Sequence, residues 1–263
     1  MAGWANRSLA RREGYYRPRG SIMARAGDLA YSFGSLVLRI SLIVGIILVA
    51  IIASFCIYAA IDAQMIVESA NLPDEIIELA PENNEVDLAA LAAINSDIVG
   101  WLVVNDTNIN YPVLKGEDND YYLARDYMRK WATAGSIFMD YRNSDDLSDT
   151  LTVIYGHRMG YGKMFSDVTL FADGDYFASH LTGSFFANNK KYNLRTVAFA
   201  LMSATEQAIY DVSHSRDGMS AVHLIYENAK WRSGLLSSGR FVLLSTCDAR
   251  DRSMRDILLM HVE

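Results

Sequence analysis

The sequence predicts a mostly β domain of the α+β type, closed or nearly closed into a barrel with helical insertions, carried behind one N-terminal membrane helix. Three observations lead there. An uncharged run of 22 residues, Ile40 to Ile61, lies near the N-terminus. From Gly100 onward the chain reads as short apolar strands separated by turn residues, with few helical stretches between them. Those helical stretches do not alternate regularly with the strands, which argues against a βαβ sheet and for a barrel.

Composition sets the outer limits. The 263 residues are 51% hydrophobic and 11% aromatic with only 4 prolines, enough for one good-sized folded domain and an appendage. Net charge is −7, unevenly spread. Residues 1–39 hold seven arginines against Glu13 and Asp28, a balance of +5, which leaves −12 for the remainder. A basic tail followed by an apolar run fits a membrane better than nucleic acid, and no nucleic-acid partner is expected.

As a helix, residues 40–61 span about 33 Å, sufficient for a hydrocarbon core of about 30 Å. The run exceeds the apolar region of a cleaved signal peptide and no small-residue cleavage site follows it, so it reads as an uncleaved single-pass anchor. Arginines precede it; Asp62, Glu68, Asp74, Glu75 and Glu78 follow. The positive-inside rule then keeps residues 1–39 in the cytoplasm and exports everything after residue 62. Residues 62–84, acidic and containing Pro73 and Pro81, read as an extracellular stalk. The folded domain is expected over 85–263.

Within it, Glu85 to Ile94 has helical spacing. Trp101–Val104 and Ile109–Leu114 read as a hairpin-like pair around Asn-Asp-Thr-Asn. A short helix is expected over Asp118–Met128, strands over Ser136–Met139 and Leu151–Tyr155, one or two helical turns over Met164–Phe171, and a strand over Tyr192–Met202. Val222, Ile225, Tyr226 and Ala229 recur at helical spacing, which predicts an amphipathic helix over Asp217–Trp231. His223 is expected to pack beside that stripe. Phe241–Thr246 and Ile257–Val262 read as two further strands, with Cys247 at the end of the first and Arg255 at the entrance of the second.

A thiol and a guanidinium at one end of two strands suit a nucleophile with an anion-stabilising donor. A free cysteine serves as a small core hydrophobe just as readily. Cys56 lies in the apolar run, so it is no disulfide partner for Cys247, and no disulfide framework exists. A nucleophilic thiol needs a base. Of His157, His180, His214, His223 and His261, the strand-end position after Leu151–Tyr155 and the flexible Gly156 favour His157. His180 and His214 fall in polar connections. No pair shows Cys-x-x-Cys or His-x-x-x-His spacing, so neither a metal nor any other cofactor is expected.

Tyr155-Gly-His157, Leu244-Ser-Thr-Cys247 and Arg255 together resemble the His, Cys and Arg motifs of the sortases, membrane-anchored cysteine transpeptidases of Gram-positive bacteria. Similarity extends to class B in Asn95-Ser-Asp-Ile-Val-Gly-Trp101-Leu, Ile109-Asn-Tyr-Pro-Val113, Asp118-Asn-Asp-Tyr-Tyr-Leu123, Gly135-Ser-Ile-Phe-Met-Asp140 and His157-Arg-Met-Gly-Tyr-Gly-Lys-Met-Phe165. The helix expected over 217–231 matches the extra helix of that class. The resemblance runs from about residue 85 to the end. The stalk lacks the Asp-Pro-aromatic triplet of many pilin-polymerising class C enzymes. Arg250 and Arg252 add two guanidinium groups near the site, but family spacing favours Arg255.

The resemblance implies a barrel of about eight strands and a catalytic set of His157, Cys247 and Arg255, with Ser245 and Thr246 lining the substrate groove. It implies cleavage of a C-terminal sorting signal after threonine, a thioester on Cys247, and transfer of the surface protein to a cell-wall amine. A lysine of a pilin subunit as acceptor, a hydrolytic Cys-His peptidase and a catalytically silent wall-binding module are the other readings.

Overall fold

Residues 22–39 and 62–69 flank the apolar run without a proline or a glycine cluster to stop a helix, and in the computed structural model they extend it. The structure describes residues 22–210, 212, 218–234, 236, 238–247, 251 and 253–263. Helix α1 covers Ile22–Ser69, 48 residues in all. It is long and apolar enough to cross a membrane, the one such helix among the described residues. Leu42, Ile46, Ile47 and Ile52 are each more than half exposed on it, as side chains facing lipid rather than protein would be. The chain divides into two units, residues 1–60 and 61–263.

In the second unit the stretch expected as a stalk is folded. Pro73 starts the short helix α2 (Asp74–Ile77), its carbonyl accepting from the Ile76 and Ile77 amides. Ile76 is fully buried, Ala70 nearly so, and Leu72, Leu79 and Ala80 pack on the same core. Helix α3 (Leu88–Ile94) follows where its periodicity predicts, capped by the Asp87 carboxylate on the Ala90 amide.

Nine strands follow among the described residues: β1 (Ile98–Val104), β2 (Asn110–Leu114), β3 (Phe138–Met139), β4 (Leu151–Tyr155), β5 (Thr182–Ala187), β6 (Lys190–Ser203), β7 (Trp231–Arg232), β8 (Phe241–Cys247) and β9 (Met254–Val262). Eight close a ring in the order β5-β1-β2-β3-β4-β8-β9-β6, shut by pairing of β5 with β6, while β7 hangs on the outside of β6. The closed barrel is therefore confirmed. Most pairs are antiparallel; β2–β3 and β4–β8 are parallel.

The apolar run Phe241–Leu244 does not alternate because β8 is buried on both faces. Val242 and Leu244 enter the barrel core. Phe241 and Leu243 face outward under α5 (Met219–Glu227), meeting Ala221, Val222 and Ile225. In chain order, α4 (Gly174–Ser179) precedes β5.

Two expected helices differ from the structure, and one strand carried no expectation. Asp118–Met128 holds only one 3-10 turn, Tyr121–Leu123, because the Asp118 carboxylate takes the Asp120 and Tyr121 amides and Asn119 bonds Asp140. The segment 182–187, for which the sequence carried no assignment, is β5, joined to β6 by Asn188 and Asn189, both at positive φ. The helix expected over 217–231 is shorter at both ends, and Trp231 belongs to β7; residue 217 lies outside the described residues.

Candidate active site

Strand register does the positioning. In the parallel pair β4–β8, Tyr155 lies beside Ser245, so both strands leave the barrel at the same end. Two residues further along each, His157 and Cys247 emerge together. In the antiparallel pair β8–β9, Cys247 lies directly across from Arg255, which puts both side chains on one face of the sheet. All three residues, with Ser245 and Thr246, line one cavity of about 450 Å³. Cys247 and Arg255 are each half-buried, neither sealed in the core nor fully solvated.

Gly156 makes the turn between β4 and His157 tight for a packing reason. A Cβ there would meet Ile137 Cδ1 at 2.4 Å and the Phe165 ring at 2.7 Å. His157 Nε2 lies 2.8 Å from the Leu123 carbonyl oxygen. That oxygen only accepts, so Nε2 carries a proton and Nδ1 is left for proton exchange. Gly135, at φ +57°, has no room for a Cβ against the Leu123 carbonyl at 2.6 Å, so the backbone holding that oxygen is itself held close. Arg255 donates from Nη1 to the Met254 carbonyl at 3.0 Å.

Two cavity residues, Asn119 and Tyr155, belong to a buried polar network missing from the sequence reading. Asp140 is fully buried and receives Arg142 Nε and Nη2, Asn119 Nδ2 and the Tyr155 hydroxyl. Burial alone would raise its carboxyl, but the Arg142, Asn119 and Tyr155 hydrogen bonds outweigh it and hold Asp140 below the usual range. Burial, with the Asp140 charge, pushes the Tyr155 phenol well above its ordinary value. The Tyr210 ring lies tilted against Tyr155, centroids 6.0 Å apart, and its hydroxyl meets Ser245 Oγ at 3.0 Å. Burial raises Tyr210 as well; the Arg255 charge opposes that rise and Cys247 adds to it, so Tyr210 feels both groups. Thr246 Oγ1 is buried with no hydrogen-bond partner among the described residues.

Asn119, Tyr155 and Tyr210 also line the cavity. Asn119 and Tyr155 stood in motifs already quoted; Tyr210 carried no signal, because its place depends on the end of β6 folding back. The other histidines lie elsewhere. His180 stacks on Tyr176 at 3.8 Å and is not simply solvated. His261 packs on Phe241 at the far end of β8. His223 is exposed, not packed, because the buried stripe of α5 runs through Ala221, Val222 and Ile225. His214, Arg250 and Arg252 lie outside the described residues. Among the described residues, no group of three or more His, Cys, Asp or Glu is placed to hold a metal ion.

No family profile matches the chain. A sortase B of Listeria monocytogenes is 38% identical over 173 residues, which cover 63% of this chain and 70% of that protein. A crystal structure of a Streptococcus pyogenes class B sortase involved in pilus biogenesis superposes with TM-score 0.62 at 28% identity, covering 68% of this chain and 98% of that one. A Staphylococcus aureus sortase B–substrate complex superposes with TM-score 0.60 at 29% identity, over 66% of this chain and 83% of that one.

Proposed function

The chain belongs to the class B sortases, and on that footing we propose that Cys247 is the nucleophile of a transpeptidation on C-terminal sorting signals. The observation carrying the proposal is the register that ends β4 and β8 side by side and sets Arg255 across from Cys247, with His157 lining the same cavity. The Cys247 thiolate adds to the carbonyl after a threonine, and Arg255 donates its planar fork to the oxyanion or the substrate backbone. Collapse breaks the peptide C–N bond. The leaving amine takes its proton from His157, and the acyl group stays on sulfur as a thioester. Ser245 and Thr246 bind the peptide beside the nucleophile, the buried Thr246 hydroxyl being a donor with no competing partner among the described residues.

The acceptor we assign is an amine of the cell wall. The pilus role of the Streptococcus pyogenes relative supports a pilin lysine as the second reading. We place residues 1–39 in the cytoplasm, 40–61 in the membrane and the catalytic unit outside the cell. That unit begins within residues 62–84 and not at 85, since Ile76 belongs to its core. The test is a reaction of the protein with a sorting-signal peptide library and a wall-peptide amine. An amide-linked transfer product supports the proposal; free acid alone, at every amine concentration, assigns a hydrolase instead.

A further inference from the structure

Three of the chain stretches that line the cavity are tied to one ion pair that does not line it. Asn119 comes from the segment between β2 and β3, Tyr155 from the end of β4, and Ala204 and Tyr210 from the segment after β6. Asp140 Oδ2 accepts from Asn119 Nδ2 at 2.8 Å and from the Tyr155 hydroxyl at 3.0 Å. Its partner Arg142 donates from Nη2 to the Tyr210 carbonyl at 2.5 Å.

The turn that carries this pair is fixed to β4. The Asp140 amide donates to the Val153 carbonyl, and the Asn143 side chain bonds both the Leu151 carbonyl and the Val153 amide. On that base the Asp140 carboxylate grips the guanidinium twice, Nε on Oδ1 and Nη2 on Oδ2, each at 2.8 Å. Nη2 has two hydrogens, so the one not given to Asp140 is free for the Tyr210 carbonyl. Because the guanidinium is planar, gripping one edge also fixes the direction of that second hydrogen.

The segment so held has little stiffness of its own. Residues 207–209 make a single 3-10 turn, anchored below by the fully buried Ile209 in the cluster under α5. Above it the Tyr210 ring lies tilted against Tyr155, and its hydroxyl meets Ser245 Oγ. Arg142 adds a charge-assisted bond to the backbone at the residue that faces the cavity. Cys247 and Arg255 take their places from the β8–β9 register instead, and His157 rests on the Leu123 carbonyl.

We propose that Arg142 is a positioning residue for the donor peptide. Through the Tyr210 carbonyl it sets the spacing between the wall after β6 and the wall made by Tyr155 and Ser245, and so it governs how tightly the peptide is held more than how fast sulfur attacks. The inference rests on the transpeptidase reading of the same cavity.

The test uses the full chain in detergent and the peptide of the sorting-signal library that acylates it fastest. Thioester formation by the native chain is measured first. Its absence means that the transpeptidase reading has failed, and the positioning role fails with it. With the thioester present, Arg142→Lys and Arg142→Gln are each expected to raise the donor KM at least about tenfold while kcat for acylation stays within about threefold. Lysine should not rescue, because one ammonium replaces the fork that serves Asp140 and Tyr210 together. Asp140→Asn combined with Arg142→Leu removes both charges, so no buried charge is left unpaired in the fold, and the same rise in KM is expected. Acyl-enzyme yield at saturating donor counts the folded molecules in each sample. A purely structural role would lower that yield and the melting temperature and leave the KM of the remaining molecules unchanged. A native KM in Arg142→Lys or in the double variant, or a loss confined to kcat, overturns the proposal.

Discussion

At Arg255 the question is whether charge or directed donors matter. Lysine keeps the charge and loses the planar fork. Removing one preorganised oxyanion donor costs about 10²–10³ in turnover. Arg255→Lys should therefore fall by at least about a hundredfold with an unchanged melting temperature. Turnover within a few-fold of the native chain would take Arg255 out of the site. Asp140 poses a stability question. Replacing it with Asn leaves Arg142 without its buried counter-charge, at a cost of about 3 kcal/mol. Because Asp140's folded value lies below its ordinary 3.8, its contribution is present above that value and is lost as pH falls through the folded value. The melting-temperature gap between the native chain and Asp140→Asn should be widest near neutrality and narrow as pH falls below the ordinary carboxylate range through the folded value. A gap independent of pH would mean that Asp140 is not the charged partner.

At the scale of elements, the end of β4 aims the imidazole, and Gly156 makes that aim possible. Gly156→Ala places a methyl against Ile137 and Phe165, so the turn must shift and carry His157 with it. Acylation should drop by at least about tenfold, since small misplacements of a catalytic group carry large penalties. An unaltered rate would show that His157 needs no such precision. These elements also show what the chain discloses unaided. Leu151–Tyr155 and Phe241–Thr246 were legible because strands buried on both faces leave continuous apolar runs. His157, Cys247 and Arg255 were legible because each sits at a strand end. Tyr210 and the Asp140 network were not, since Asp140 accepts from Asn119, Arg142 and Tyr155, partners 2 to 21 residues away that only the folded barrel assembles. The helix expected over 118–128 failed because one Asp side chain captured the amides that a helix needs.

For the whole molecule, residues between the apolar helix and the barrel are part of the domain's stability. Shortening the chain to begin at residue 85 removes Ile76 and Ala70 from the core, and loss of one such large buried side chain costs about 2–5 kcal/mol. A chain beginning at residue 62 should melt well above one beginning at 85; equal melting temperatures would return 62–84 to the status of a stalk. The candidate site depends on β4, β8 and β9 meeting at one end of a closed ring, and in the proposed mechanism its chemistry converges on one sulfur. Cys56, on the exposed apolar surface of α1, is the internal control. The direct measurement is mass spectrometry of the acyl-enzyme trapped from a sorting-signal peptide, followed by mapping of the modified residue. The added acyl mass should fall on Cys247, persist in Cys56→Ala and vanish in Cys247→Ala; a thioester that survives Cys247→Ala, or maps to any other residue, would contradict the assignment.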